Sequence, residues 1–353
     1  NAYRTLEQAY AQLRDKKPDW ILLKRGDRYE LQDALGLKSG KSQNAQMVIS
    51  SYGDKNLPRP LVDSYTSSAF SGKKVRSFIT ISGIEFYASG RDPDSDRFVG
   101  WDKVGSASGV SYVAGGDSYG IHIENNRFSF YSGGIGMQGH AGEIKDIVIR
   151  RNQVLNSYST TAHSQGLYLS KLNGALIEEN FLDHNGWYQQ RPSNVGLNTK
   201  SYGYATFFNH NVYIQNSSNL LIRKNLSSRS SSIGMKFTSN SDNTTKVNTV
   251  NSRNIMLDGN LIVEGEVGFS IGGNTDFNNG FRWDNIKVLN NVLSNIGRTK
   301  PTNRNLSFNI EANDWEAGSI CHNSIVDRDD KTMNNNYGID VKGHIGGLNI
   351  SDN

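Results

Sequence analysis

Tyr168, Tyr213 and Lys236 share one position of a recurring four-residue frame, Gly-apolar-X-apolar. The frame reads Gly166-Leu167-Tyr168-Leu169 and Gly234-Met235-Lys236-Phe237, and it appears without glycine as Asn211-Val212-Tyr213-Ile214. In an alternating strand the apolar positions face a core and X faces away from it. Adjacent strands lie about 4.8 Å apart, which brings Tyr213 and Lys236 near hydrogen-bonding reach. Outward positions on the same strands add Gln138, Ser170, Gln215 and Thr238, and His163, Gln165 and His210 lie just upstream. These types suit β-elimination on a uronic acid. A base must take the C5 proton, a cation or donor must offset the enolate charge on the carboxylate, and a proton must reach the leaving O4. A tyrosine with its ordinary pKa near 10 is a weak base, but a neighbouring lysine would lower it. Tyr213 as base with Lys236 as neutraliser, and Lys236 as base with Tyr213 as acid, both stay open. Tyr168 and His210 complete the catalytic candidates.

Glycoside hydrolysis normally needs two carboxylates across the scissile bond. The X column has none in its centre; Glu124 lies to one side, Glu311 and Asp340 several coils away, and Asp183 reads as a turn former. An acid carried on a loop would restore the hydrolytic reading. An exposed strand face of ordinary β-formers, with no chemistry, is the plainer alternative, since tyrosine is common in strands.

The elements that must position these residues follow from the repeat. Further frames are Gly120-Ile121-His122-Ile123, Gly134-Ile135-Gly136-Met137, Gly268-Phe269-Ser270-Ile271, Ser307-Phe308-Asn309-Ile310 and Gly338-Ile339-Asp340-Val341. An asparagine closes a short alternating strand at Asn126, Asn152, Asn180, Asn225, Asn260, Asn291, Asn323 and Asn353. A repeat of this length means a solenoid, in which equivalent positions stack. Asparagine tolerates left-handed backbone at a corner, and stacked on itself it can form an amide ladder. Residues 3–15 carry apolar residues at helical spacing, with Thr5 as N-cap and Gln8 as its capping-box partner. This helix would cap the open end of the stack. Residues 20–31 read as strand, turn at Arg25-Gly26-Asp27, and strand. Residues 90–118 read as a loop excursion, a candidate cleft wall. Residues 238–252 and 272–281 read as plain surface loops.

The longest interval between corners holds an insert at 184–211, rich in aromatic residues and carrying Arg191 and Lys200. A long loop of this composition is functional more often than disordered. Trp187, Tyr188, Tyr202, Tyr204, Phe207 and Phe208 could stack on sugar rings while Arg191 and Lys200 pair their carboxylates; equally, the loop could fold its aromatics onto itself. With Trp187, Tyr188, Arg191, Lys200 and Tyr202 of the insert, the expected substrate-binding residues are His163, Gln165, His122, Gln138 and Gln215.

The chain has 353 residues, and a solenoid of that length is expected to form one domain, 1–353. With 36 glycines and only 6 prolines, it suits many corners and few long helices. The single cysteine, Cys321, sits in a strand pattern and excludes a disulfide within the chain. A formal charge of +4 permits a polyanionic partner. The cations are dispersed, so no nucleic acid is expected, and no apolar run is long enough for a membrane span. The Asp-rich stretch 91–96 lacks the glycine and distal glutamate of an EF-hand and reads as a turn, so no metal or other cofactor is expected. The start at Asn1 suits a removed signal peptide or a trimmed chain, and the end at Asn353 suggests further coils.

The frames, the asparagine corners and the opening residues 3–31 resemble the right-handed parallel β-helix of polysaccharide lyases, mannuronan epimerases and pectin-type enzymes, over nearly the whole chain. The resemblance implies an all-β, single-stranded right-handed parallel β-helix with an N-terminal helical cap. Alginate-lyase-like members use a lysine with tyrosine, arginine or histidine on the groove strand, which matches Lys236, Tyr213 and Tyr168. Epimerases carry Asp-Pro-His-Asp where this chain has His122-Ile123-Glu124, which weighs against epimerisation. Some lyases use calcium, but no acidic cluster stands beside Lys236. The expectation is a monomeric, secreted or periplasmic bacterial polysaccharide lyase acting on an acidic polysaccharide, alginate first. The alternatives are a hydrolase or tailspike-type depolymerase with loop-borne carboxylates, and a non-catalytic glycan-binding β-helix.

Overall fold

The computed structural model describes residues 3–239, 252–272, 282–326 and 335–353. Every named strand pairing is parallel. Each coil contributes one strand to each of three faces and then climbs to the next coil, giving a right-handed parallel β-helix with a short N-terminal helix. The groove face stacks Ser108–Ala114, Gly133–Gly139, Gln165–Ser170, His210–Gln215, Ile233–Thr238 and Val267–Ile271. The second face includes Ile121–Glu124, Ile144–Arg150 and Leu172–Glu178. The third is built from three-residue strands such as Phe181–Asp183.

Alternation makes the core. Leu167, Leu169, Val212, Ile214, Met235 and Phe237 are buried, while Tyr168, Tyr213 and Lys236 between them are not. The frame glycine sits where the coil bends inward: a Cβ on Gly166 would lie 2.5 Å from the carbonyl oxygen of Asn211 in the next coil.

The asparagine corners form the expected ladder. The Asn180 side chain donates to Asn225 Oδ1 (2.9 Å) and to Ile149 O (2.9 Å), and its Oδ1 accepts from the Asn152 backbone N–H (3.0 Å). The pattern runs unbroken from Asn126 to Asn353 although partners lie 26 to 45 residues apart in sequence. One detail differs from expectation. The left-handed residue is the one before each ladder asparagine, as at Asn125, Arg151, Glu179 and Lys224, which frees the asparagine to turn its amide inward.

Other expectations shift locally. The cap helix spans only Leu6–Ala11; Thr5 caps it through the Gln8 N–H (3.3 Å), and Leu6 and Tyr10 are buried. Residues 20–31 give the expected strands Trp20–Lys24 and Arg28–Glu30. The excursion at 90–118 is shorter than expected, because Ser108–Ala114 is a groove-face strand. Asp183 ends a strand and pairs with Arg229 rather than forming the turn. Most of the loops expected at 238–252 and 272–281 lies outside the described residues.

Replacing Asn180 by alanine removes the acceptor of two Asn152 donors, and each buried group left unpaired costs ~1–3 kcal/mol. Asn180→Ala is therefore expected to lower stability by about 2–4 kcal/mol, read as a fall in urea midpoint, while exposed Asn56→Ala leaves the midpoint unchanged.

Candidate active site

Strand pairing sets the column. Ser111, Gly136, Tyr168, Tyr213, Lys236, Ser270 and Glu311 are successive register partners on the groove face. Two expectations are corrected here. His122 pairs with Thr80 and Val148 on the second face and does not belong to the column. Asn309 gives way to Glu311, because the frame in that coil is Asn309-Ile310-Glu311-Ala312. Glu311 thus stands two coils from Lys236, and its charge acts on that lysine.

A cleft of about 630 Å³ opens over the column from Ser111 to Lys236. Tyr168, Tyr213 and Lys236 form its floor, with Gln138, His163, Gln165 and His210 in the lining. The Tyr168 and Tyr213 ring centroids are 5.5 Å apart, and the His210 ring meets Tyr213 edge-on at 5.5 Å. The Tyr168 hydroxyl donates to Gln215 Oε1 (3.2 Å), which ties Gln215 to the floor without placing it in the lining. Gln165 bridges the wall, donating to Phe208 O (2.9 Å) and accepting from the His210 N–H (2.6 Å). Tyr213 accepts from Thr238 Oγ1 (3.1 Å). Among the described residues, no hydrogen bond or ion pair engages the Lys236 ammonium.

The column was expected to be open to solvent, but its central residues are half-buried. Burial therefore dominates their titration, since a low-dielectric setting disfavours the charged form. Burial lowers the Lys236 pKa, opposed by Glu311 and reinforced by Arg304. Burial raises Tyr213 and Tyr168, which overturns the expectation that Lys236 would pull Tyr213 down. His210 is fully enclosed; burial, then Lys236 and Arg304, drive its pKa well below the ordinary value, and its Nδ1 has no partner. Burial and then Lys200 lower His163.

Of the insert's aromatic residues, two reach the cleft. Phe207 and Phe208 line it. Trp187 donates its indole N–H to Arg229 O and packs on His184. Tyr188 and Tyr202 pack against Trp101 of the 90–107 excursion, and the Tyr188 hydroxyl donates to Asp94 (2.9 Å). Arg191 is buried and donates to backbone carbonyls, Thr302 O at 2.7 Å among them. Lys200 bonds Asn198 and stands outside the lining. These five stand outside the cleft lining: Tyr188 and Tyr202 pack onto Trp101, and Trp187, Arg191 and Lys200 are held by other partners. Buried Arg91 fastens the same wall, donating to Phe130 O (2.8 Å) and Tyr158 O (2.6 Å).

Some residues were missed. Ser111 was readable, since Gly109-Val110-Ser111-Tyr112 fits the frame. Glu266 and Arg304 were not: fully buried Glu266 holds Arg304 through two hydrogen bonds (2.9 and 2.6 Å), and the Arg304 guanidinium lies 5.8 Å from the Phe207 ring. No local pattern marks a pair formed across 38 residues. Among the described residues, no group of three or more His, Cys, Asp or Glu could hold a metal ion, and no helix is long and apolar enough to cross a membrane.

No family model matches the chain, and no curated protein matches it. Solved structures do. The GH136 lacto-N-biosidase from Eubacterium ramulus superposes with a TM-score of 0.51 at 12% identity, over 99% of this chain and 64% of that one. The DFA-IIIase from Arthrobacter chlorophenolicus A6, without its lid, gives 0.48 at 13% identity, over 92% and 81%. The A-module of the mannuronan C-5 epimerase AlgE4 from Azotobacter vinelandii gives 0.36 at 11% identity, over 94% and 91%. This chain thus spans 64% of the length of the lacto-N-biosidase structure. At such identities the likeness is one of fold alone, and it singles out no alginate-lyase family.

The wall carries its own acid sensitivity. Burial, with Arg229 adding to it, lowers His184 from 6.5 to about 4. The unfolded chain therefore binds a proton between these values that the folded chain does not. Stability is full above pH 6.5 and falls as pH drops through the folded value, by roughly 3 kcal/mol for a shift of this size. His184→Gln is expected to flatten the decline in urea midpoint between pH 7 and 4; an unchanged decline would count against this origin.

Proposed function

We propose that the chain is a carbohydrate-active enzyme that binds an extended acidic glycan along the groove face and cleaves it by β-elimination. The observation that carries this reading is Lys236, a half-buried amine with no ion-pair partner among the described residues, set between hydroxyl and imidazole groups in a cleft whose described lining holds no carboxylate. Such a group is poised to take a proton from the substrate and then to face its carboxylate as a cation. The scaffold shared with a lacto-N-biosidase suits work on a glycan.

The opposite pKa directions favour one division of labour. Lys236, pushed down by burial, takes the C5 proton. The C5–H electron pair becomes the C4=C5 double bond as the C4–O4 bond breaks. Lys236 is then a cation beside the substrate carboxylate, where charge develops in the transition state. Tyr213, pushed up, keeps its proton at neutral pH and delivers it to the departing O4. Tyr168 supplies a stacking face one coil away, and His210, held neutral, adds no competing charge.

A second reading rests on Glu311. It occupies the same column and is the register partner of Asp340, so two carboxylates stand on adjacent coils beyond the cleft. A hydrolase using them would act further along the groove.

The deciding measurement is absorbance of the unsaturated product alongside reducing-end release, on alginate blocks, pectate, hyaluronan and chondroitin. Elimination predicts absorbance that Lys236→Ala and Tyr213→Phe each reduce by roughly 10²–10⁴-fold. Lys236→Arg, which keeps the charge but not the base, should be as inactive as the alanine. Rate should rise with pH through the depressed lysine pKa. Reducing ends without absorbance, lost in Glu311→Gln, would establish hydrolysis instead.

A further inference from the structure

The two ends of the cleft differ in charge. Lys236 is the one amine or guanidinium side chain among the described lining residues, and it lies at one end. His163 and His210 are held towards the neutral form by burial. Three and four register steps away, the floor is Gly136 and Ser111, flanked by Ser108 and Ser132. At about 4.8 Å per step Gly136 is roughly 14 Å and Ser111 roughly 19 Å from Lys236, a span of several sugar residues. The neutral end offers hydroxyls, an aromatic face at Tyr168, and no cation.

The floor glycines sharpen the point. A Cβ on Gly166 or Gly234 would press within 2.5 or 2.9 Å of a neighbouring carbonyl, so packing demands glycine there. Gly133 and Gly136 are different. A Cβ on Gly136 would find its nearest neighbour, Val110 O, at 3.4 Å, and one on Gly133 would find Gln165 O at 3.7 Å. Neither has a left-handed backbone. Nothing in the fold requires these two glycines, and their lack of a side chain deepens the cleft.

We infer that the cleft selects a mixed glycan, with an acidic residue at Lys236 and an uncharged residue sunk over Gly133 and Gly136 against the Tyr168 ring, in preference to a uronate homopolymer. A homopolymer would put a carboxylate over the neutral floor, where no cation offsets its desolvation. This rests on the reading of the cleft as an acidic-glycan site, but not on the elimination chemistry.

The test is binding, measured as retardation in native gels containing each polymer. The full chain carries Tyr213→Phe so that the polymer survives the run. Hyaluronan and chondroitin alternate a uronate with an uncharged amino sugar; polygalacturonate and polymannuronate do not. The expected result is retardation at a tenfold or lower concentration of a mixed polymer than of either homopolymer. Ser111→Lys should narrow that ratio at least threefold by strengthening homopolymer binding. Gly136→Leu should weaken mixed-polymer binding at least tenfold with the melting temperature unchanged, which a merely structural glycine would not allow. Equal or tighter binding of the homopolymers, or a Ser111→Lys variant that moves both classes alike, would overturn the inference. Retardation by a neutral glucan alone, or by no polymer, would overturn it together with the acidic-glycan reading. Loss of the product absorbance with this preference intact would remove the elimination mechanism and leave the inference standing.

Discussion

The buried asparagine ladder is the constraint on which the rest depends. Each carboxamide bonds to the coils on both sides of its own, so a coil cannot slip by one residue without leaving several buried polar groups unpaired. Side-chain direction in a strand has period two, and a one-residue slip would turn every inward residue outward. By fixing register at each corner, the ladder holds Tyr168, Tyr213 and Lys236 in line although the coils between them differ in length. The left-handed residue before each asparagine makes this possible, since it turns the chain sharply enough for the amide to face inward.

Alignment alone would give an exposed row of polar side chains. The cleft exists because two interruptions of the repeat, 90–107 and 184–209, fold against each other over one end of the groove face. Their contact is aromatic, centred on Trp101, and it is pinned from below by Arg91, whose guanidinium has carbonyl partners and lies 4.9 Å from the Tyr158 ring. The wall removes water from the column. Desolvation then separates the titrating groups, pushing the lysine down and the tyrosines up. The titration of these cleft residues is thus a consequence of loop packing acting on side chains that the strands supply.

Glycine plays two unrelated parts on the same face. At Gly166 and Gly234 the neighbouring coil leaves no room for a side chain. At Gly133 and Gly136 there is room, and the missing side chain becomes part of the cleft instead. The first kind shapes the coil, and the second shapes what the coil can hold.

The repeat by itself determined the architecture: alternating apolar residues and recurring asparagines specify stacked strands, and these are local, periodic signals. It also brought Tyr168, Tyr213 and Lys236 together, because equivalent repeat positions must stack. Its limit is the period itself. A two-residue slip preserves the alternation, so Asn309 was taken where Glu311 belongs, and a look-alike frame on the second face put His122 in the wrong column. Which aromatic residues of the insert face the cleft, the burial of Arg191, the Glu266–Arg304 pair and the direction of each pKa shift were decided only by tertiary structure. Each depends on what packs against a side chain from far away in sequence, and desolvation has no local signature.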